Sequence, residues 1–252
     1  MSKNSRGFWL EVSGDFACFT RPELKSERMS YEIPTPSAVR AIFETILWKP
    51  AIRWQINKII VMNKIDWISF RRNEVGSRAS KKREGCIYIE NDRVQRASHV
   101  LRNVKYRFHA EFFFIKPEDC FHSQRLAPEL RPVPKFLMQT DFEEYTDWQK
   151  YDGDERSDET EAKYFSMFKR RASKFQHYTK PYLGCREFAA DVRLIDPPEE
   201  EGGIQLDRNY GWMLFDMDYR DLENIKPLFY EANMIQGVIK VPPRNDNTKV
   251  KG

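Results

Sequence analysis

The chain has 252 residues, of which 40% are hydrophobic and 14% aromatic, and its formal net charge at pH 7 is +4. This composition excludes an intrinsically disordered chain and supplies apolar surface for one large domain, or a domain with a small appendix. The near-neutral total excludes binding through a uniformly charged surface, yet residues 71–83 hold six bases against one acid and residues 141–161 hold ten acids against two bases. Such blocks read either as solvated faces and loops or, for the basic one, as a local contact for a phosphate backbone.

The four cysteines, Cys18, Cys86, Cys120 and Cys185, form no CxxC pair and no zinc spacing. They read as reduced thiols of a cytoplasmic protein. The opening "MSKNSRGFWLEV" lacks the apolar core of a signal peptide, and no apolar run approaches a membrane span.

In chain order, residues 7–20 read as a strand interrupted by Gly14-Asp15, where a bulge is expected. A polar, proline-bounded loop follows. Val39, Ile42, Phe43, Ile46 and Leu47 then fall on one stripe of a helix, with Ser37 as N-cap and Pro50 as terminator. Residues 51–62 and 66–75 alternate as two strands. "GSRASKKREG" is basic and without hydrophobic period, so it reads as a loop that orders on a partner. Residues 106–115 read as a long strand, and residues 119–140 are polar with weak periodicity. The acidic run leads into a helix over 161–175. "LGCREFAADVRLID", "YGWMLFDMDY" and "PLFYEANMIQGVIKVP" read as further strands. The order strand–helix–strand–strand–helix–strand predicts an α+β fold with a ferredoxin-like (RRM-like) unit over residues 1–180. A smaller β-rich part covers 181–252. Many unrelated functions share that fold.

No nucleophile elbow, phosphate-binding Gly-rich loop or zinc-protease motif is present, and the acids of "DGDERSDETE" lack calcium-loop spacing. No metal or cofactor is expected. The second helix, "EAKYFSMFKRRASKF", admits two readings: an amphipathic core helix with a wet basic side, or a phosphate site at its N-terminal end with Lys163 as clamp. Lys169 and Arg170 lie on its basic side, and His177 follows it. Earlier in the chain, Tyr31, Trp48, Trp54 and Trp67 flank Arg28, Lys49, Arg53, Arg71 and Arg72. These rings suit stacking on unpaired bases while the cations hold phosphates, and suit a protein core equally well. With Arg78, Lys81, Lys82 and Arg83 of the basic loop, these residues make up the candidate RNA-binding set.

Several stretches, in order, carry a resemblance. "GDFACFTRPELKSERMSYEIPTPSAVRAIFETILWKPAIRWQINKI", "FRRNEVGS", "QRASHVLRNVKYRFHAEF", "FKRRASKFQHYTKPYLGCREF" and "GWMLFDMDY" resemble the type I-C (d-subtype) Cas-five proteins of CRISPR systems, of the RAMP superfamily. The resemblance runs from about Gly14 to the C-terminal strands. It implies a subunit of the Cascade surveillance complex that grips the 5′ handle of CRISPR RNA. It also implies an endoribonuclease that cuts precursor CRISPR RNA at the repeat hairpin without metal, by attack of a ribose 2′-OH on the adjacent phosphate. The implied partners are CRISPR RNA, the backbone and large Cascade subunits, and target DNA through the complex.

In the family the chemistry is assigned to the residue before "WKP" and to a Lys-His pair opening the later helix. The pair corresponds here to Lys163 and Tyr164, and the position before "WKP" is Leu47. Leucine transfers no proton. Tyrosine has an ordinary pKa near 10, which makes it a weak base unless a neighbouring cation lowers it. Three readings follow: a repeat-cutting Cascade subunit with Lys163 and Tyr164 catalytic, a handle-binding and assembly subunit with weakened or lost cleavage, or an unrelated RNA-binding module of the same fold.

Overall fold

In a computed structural model of the chain, residues 7–24, 26–49, 52–77, 86, 88–114, 161–199, 202–218 and 224–252 are described. The basic loop residues Arg78, Lys81, Lys82 and Arg83 lie outside them, as do residues 119–140 and nearly all of the acidic run.

The first strand, β1 (Phe8–Ala17), buries Phe8, Leu10 and Val12 on one face. The helix α1 (Pro36–Ile46) follows. Its cap is Thr35 rather than Ser37: the Thr35 Oγ1 accepts from the Ala38 N–H at 3.3 Å. Pro36 takes the first helical position, where its missing N–H costs nothing, so the cap falls on the residue before it. Val39, Ile42, Phe43 and Ile46 are buried as the stripe requires.

Three strands come next. β2 (Ile52–Val61) and β3 (Trp67–Val75) precede β4 (Arg93–Phe114), which is far longer than the strand read over 106–115. The extra length is an arm: residues Arg93 to Val100 of β4 pair with β3, with a single further bridge from His99 to Met29, and the later residues enter the main sheet between β1 and β2. The second helix, α2 (Glu161–Ser173), buries Tyr164, Phe168 and Ala172. β5 (Asp191–Ile195) then pairs with the free edge of β1.

The order β5-β1-β4-β2, antiparallel throughout, is the ferredoxin-like arrangement. β5, which ends at Ile195, supplies the last strand of this arrangement. Aromatic rings join both helices to one face of the sheet. Phe8 lies 4.5 Å from both Phe165 and Phe168, Trp54 lies 4.7 Å from Phe168, and Phe43 lies 5.0 Å from Trp54. Burying one such side chain stabilises the fold by about 1.5–3 kcal/mol.

The sheet continues past β2 through β6 (Arg208–Asp218), β7 (Lys226–Ile235), β8 (Val238–Lys240) and β9 (Val250–Lys251), in the order β2-β8-β7-β6 with β9 also on β7. The stretch "PLFYEANMIQGVIKVP" is therefore two strands. Gln236 and Gly237 both have positive φ (48° and 76°), which makes the tight hairpin turn from β7 to β8.

Two other expectations change. The pairing of β1 with β4 passes Gly14 without a register shift, so no bulge forms there. Gly14 instead makes room: a Cβ at that position would sit 2.6 Å from the Leu183 side chain. "LGCREF" is a compact turn rather than a strand, with Leu183 N–H bonded to Phe188 O at 2.8 Å and Phe188 N–H to Cys185 O at 2.9 Å.

Candidate nucleic-acid interface

The turn after α1 and the start of α2 come together at one end of the sheet. Leu47 caps α1, its N–H bonded to Phe43 O at 3.0 Å, and its own carbonyl accepts from Trp54 Nε1 at 3.0 Å. Leu47 is fully buried, so position 47 packs and presents nothing to a substrate. The next residue, Trp48, is 59% exposed. The turn then feeds β2, whose first residue Ile52 pairs with Phe114 at the end of β4. The Phe114 ring lies 5.9 Å from that of Tyr164 in the first turn of α2. Farther along, Arg171 Nη1 donates to Ile46 O at 3.1 Å and fixes α2 against the end of α1.

Within this arrangement Lys163 is exposed, while Tyr164 is 3% exposed and faces the core with Phe168 and Ala172. The helical period separates them, since adjacent residues point about 100° apart. Lys169 and Arg170 are exposed on the outer side of α2. His177, also exposed, lines a second cleft of about 560 Å³ beside β5 together with Lys180 and Arg193. Near it the buried Glu11 holds three cations: Arg107 at 3.1 Å, Lys105 at 3.2 Å and Arg193 at 2.6 Å. Burial works to raise the Glu11 pKa, but the hydrogen bonds from Arg107, Lys105 and Arg193 prevail and lower it.

The candidate cations fall into different classes. Arg28 bonds Glu187 at 2.7 Å and approaches Glu74 at 3.5 Å; Arg72 pairs with Glu187 and, at 3.1 Å, with Glu74; Arg96 reaches Glu74 at 3.3 Å. Two carboxylates thus serve three guanidinium groups, and the network ties the β3–β4 arm to the "LGCREF" turn. Arg28 and Arg72 are structural clasps in this arrangement. Arg71 lies on the opposite face of β3 and is exposed. Tyr31 is also turned inward: it is 4% exposed, the Arg21 guanidinium covers its ring at 4.7 Å, and burial raises its pKa. The core claims this ring, as it claims Trp54.

The same network reaches a thiol pair. Cys185 Sγ lies 3.6 Å from Cys18 O, 3.9 Å from Thr20 Oγ1 and 3.8 Å from Arg28 Nη1. A hydrogen bond from the Cys18 thiol, assisted by Thr20 and Arg28, brings the Cys185 pKa down to about 6, against the opposing effect of burial.

Lys49 and Arg53 line a cleft of about 1120 Å³ between α1, the first half of β2 and the C-terminal strands. It exists because β2 pairs with β8 only from Lys58 to Ile60, leaving its earlier edge open. Six cationic side chains line it, Arg40, Lys49, Arg53, Lys226, Arg244 and Lys251, against the carboxylates of Glu44, Asp216 and Asp218. Arg40, Asp216 and Arg244 escaped the sequence reading. The buried Asp216 accepts from Arg40 and from Arg244, each at 2.9 Å, across 176 and 28 residues of chain. No local pattern signals partners that far apart.

Among known proteins, the chain is 36% identical over 250 residues to a CRISPR pre-crRNA endoribonuclease Cas5d from Mannheimia succiniciproducens, covering 93% of this chain and 94% of that one. The chain belongs to the Cas5d family. A second family member, the CRISPR pre-crRNA endoribonuclease Cas5d of Thermus thermophilus, is 33% identical over 92% of this chain and 90% of its own. The family model described as CRISPR-associated protein (Cas_Cas5) matches residues 8–131. Two solved structures share the fold seen here. One is described as a CRISPR-associated protein (TM-score 0.63, 21% identity, 99% of this chain and 98% of that one). The other is SMU1763c from Streptococcus mutans, described as functionally uncharacterized (TM-score 0.62, 22% identity, 99% of both chains). Among the described residues, no helix is long and apolar enough to cross a membrane.

Proposed function

We propose that this Cas5d family member is a CRISPR RNA-binding subunit of a type I-C Cascade complex, gripping the 5′ handle and cutting precursor CRISPR RNA at the repeat hairpin. The observation that carries this reading is the end-to-end match to two proteins named pre-crRNA endoribonucleases at 36% and 33% identity. The reading places the protein in the cytoplasm, with the backbone and large subunits as neighbours and target DNA reached through the complex.

The proposed cut uses the RNA's own 2′-OH. The 2′ oxygen forms a bond to the adjacent phosphorus as the bond to the 5′ oxygen breaks, leaving a 2′,3′-cyclic phosphate and a 5′-OH. The 2′ proton leaves and the departing oxygen gains one, so the protein's task is proton transfer and stabilisation of a crowded dianionic phosphorane. Lys163 suits the second role: it is an exposed ammonium in the first turn of α2, where the positive end of the helix dipole also favours an anion. Tyr164 is the candidate for proton transfer.

A second reading, a handle-binding subunit with weakened cleavage, is favoured by one observation: Leu47 is fully buried and Tyr164 is 3% exposed. The separating experiment incubates the full chain with end-labelled cognate repeat RNA in EDTA. One cut below the hairpin supports the cutting subunit and metal independence; intact RNA bound tightly and salt-sensitively supports the second reading. In the cutting case, Lys163→Ala should slow cleavage at least about a hundredfold while weakening binding only a few-fold. Equal losses would reduce Lys163 to a phosphate contact. Tyr164→Phe keeps the ring in the core and removes only the hydroxyl, so an unchanged rate would take Tyr164 out of the chemistry.

A further inference from the structure

The cleft between α1 and the C-terminal strands has no use in the reaction above. Its charges are arranged, not scattered. Asp216 is buried and fixes two guanidinium groups, Arg40 and Arg244, on opposite walls. Glu44 backs Arg40 at 3.4 Å, and Asp218 backs Arg244 at 3.7 Å. Each of these two arginines is thus held by carboxylates behind it. Arg53 differs: it is exposed and, among the described residues, it makes no direct ion pair, with Asp216 attracting it only from a distance. Partial desolvation of the guanidinium, with repulsion by Arg244 and Arg40, lowers its pKa against the attraction of Asp216. Lys49, Lys226 and Lys251 also have no ion-pair partner among the described residues, so the cleft carries an excess of positive side chains.

Such excess charge in a concave site is relieved by an anion with several oxygens, and guanidinium forks match phosphate oxygens in pairs. The wall adds a ring. Trp48 lines the cleft with 59% of its surface exposed, and Lys251 sits 5.1 Å over the ring of Trp212, which is 51% exposed. An exposed indole beside a phosphate seat fits a nucleotide whose base is unpaired, because a duplex keeps the faces of its bases stacked.

We infer that this cleft is a track for single-stranded RNA, with a backbone phosphate seated at Arg53 between Arg40 and Arg244 and an unpaired base stacked on Trp48. Asp216 is a positioning residue, acting through the two arginines it holds. The inference rests on the RNA-binding reading proposed above and adds a place and a strand state to it. No proton or bond moves in this step; the track orders the flank of the RNA whose hairpin is processed elsewhere on the molecule.

The test measures binding of labelled repeat RNA by the full chain across a salt series in EDTA. Arg53→Gln should weaken binding about tenfold and reduce the slope of log affinity against log salt by about 0.7, one phosphate contact on a single strand. Trp48→Ala should weaken binding roughly tenfold with the salt slope unchanged. Asp216→Asn makes the protein more positive and yet should bind more weakly, a result that charge alone would reverse. Both Arg53→Gln and Trp48→Ala alter exposed side chains, so their folding is secure, and thermal denaturation checks Asp216→Asn. Unlabelled single-stranded RNA should compete with the repeat RNA for wild type and lose that advantage in Arg53→Gln, and duplex RNA of the same length should not compete.

Wild-type binding with Arg53→Gln and Trp48→Ala both unaltered would overturn the track alone. Equal competition by duplex would overturn its single-strand character. A wild type that fails to bind repeat RNA would overturn the functional reading, and the track with it.

Discussion

Single residues at the "LGCREF" turn and in the "WKP" turn show how position, rather than residue type, decides what a side chain can reach. Trp48 and Trp54 are both indoles near cations, yet one is 59% exposed and the other donates its N–H to a buried carbonyl. Cys185 is a half-buried thiol whose environment is cationic on one side through Arg28. With a pKa near 6, its thiolate should already predominate at pH 7. Alkylation of Cys185 by iodoacetamide, followed by peptide mass spectrometry, should rise through about pH 6 and level off by about pH 7, whereas an ordinary thiol near 8.5 is still rising there. A Cys185 rate still climbing at about pH 8.5 would mark an ordinary thiol. Arg28→Gln should move the profile to higher pH, because it removes a cation that favours the thiolate.

Among the elements, the "LGCREF" turn has a backbone requirement that the strands lack. Gly184 has a φ of +83°, and a Cβ there would lie 2.1 Å from the Cys18 carbonyl oxygen. The turn is held to the N-terminal strand region by the Cys18 N–H bond to Leu183 O at 3.0 Å, and Leu183 is fully buried. Gly184→Ala therefore meets both a left-handed backbone and a collision with main chain. It should cost roughly 2–4 kcal/mol, read as a lower midpoint in urea unfolding, and an unaltered midpoint would show that the turn shifts freely. The physics of each element also explains how legible it was. α1 could be read because Val39, Ile42, Phe43 and Ile46 carry the full period of a half-buried helix. The first half of β4 could not, because an arm paired mainly with β3 alternates only weakly between exposed and partly covered residues. The "LGCREF" stretch mimics a strand in composition, but its hydrogen bonds close locally.

For the whole molecule, the ferredoxin-like order was written in the succession of elements, and the family was written in the order of several motifs. The cleft was not, since its walls come from α1, β2 and the strands beyond residue 207, and ion pairs across such separations leave no periodic trace. The sequence also offered Arg28 and Arg72 as free cations, because it could not reveal Glu74 and Glu187 beside them. Charge placement at this scale makes one further expectation. Neutralising Arg78, Lys81, Lys82 and Arg83 together should flatten the salt dependence of RNA binding by up to about 0.7 for each phosphate the loop holds. A slope identical to wild type would remove that loop from the interface.

The junction between the two halves of the sheet has a mechanical consequence. β2 and β8 share only Lys58–Lys240, Ile59–Ile239 and Ile60–Val238, with backbone bonds at Val61 and Val241 as the end stitches. Above this short seam the two leaves diverge and the cleft lies between them. The seam has three rungs, and the Arg40–Asp216 ion pair and the packing of α1 on β6 brace the two leaves a second time across the cleft. An occupant of the cleft therefore meets walls whose spacing is set at two separate places, so Asp216→Ala should loosen the cleft walls without touching the seam.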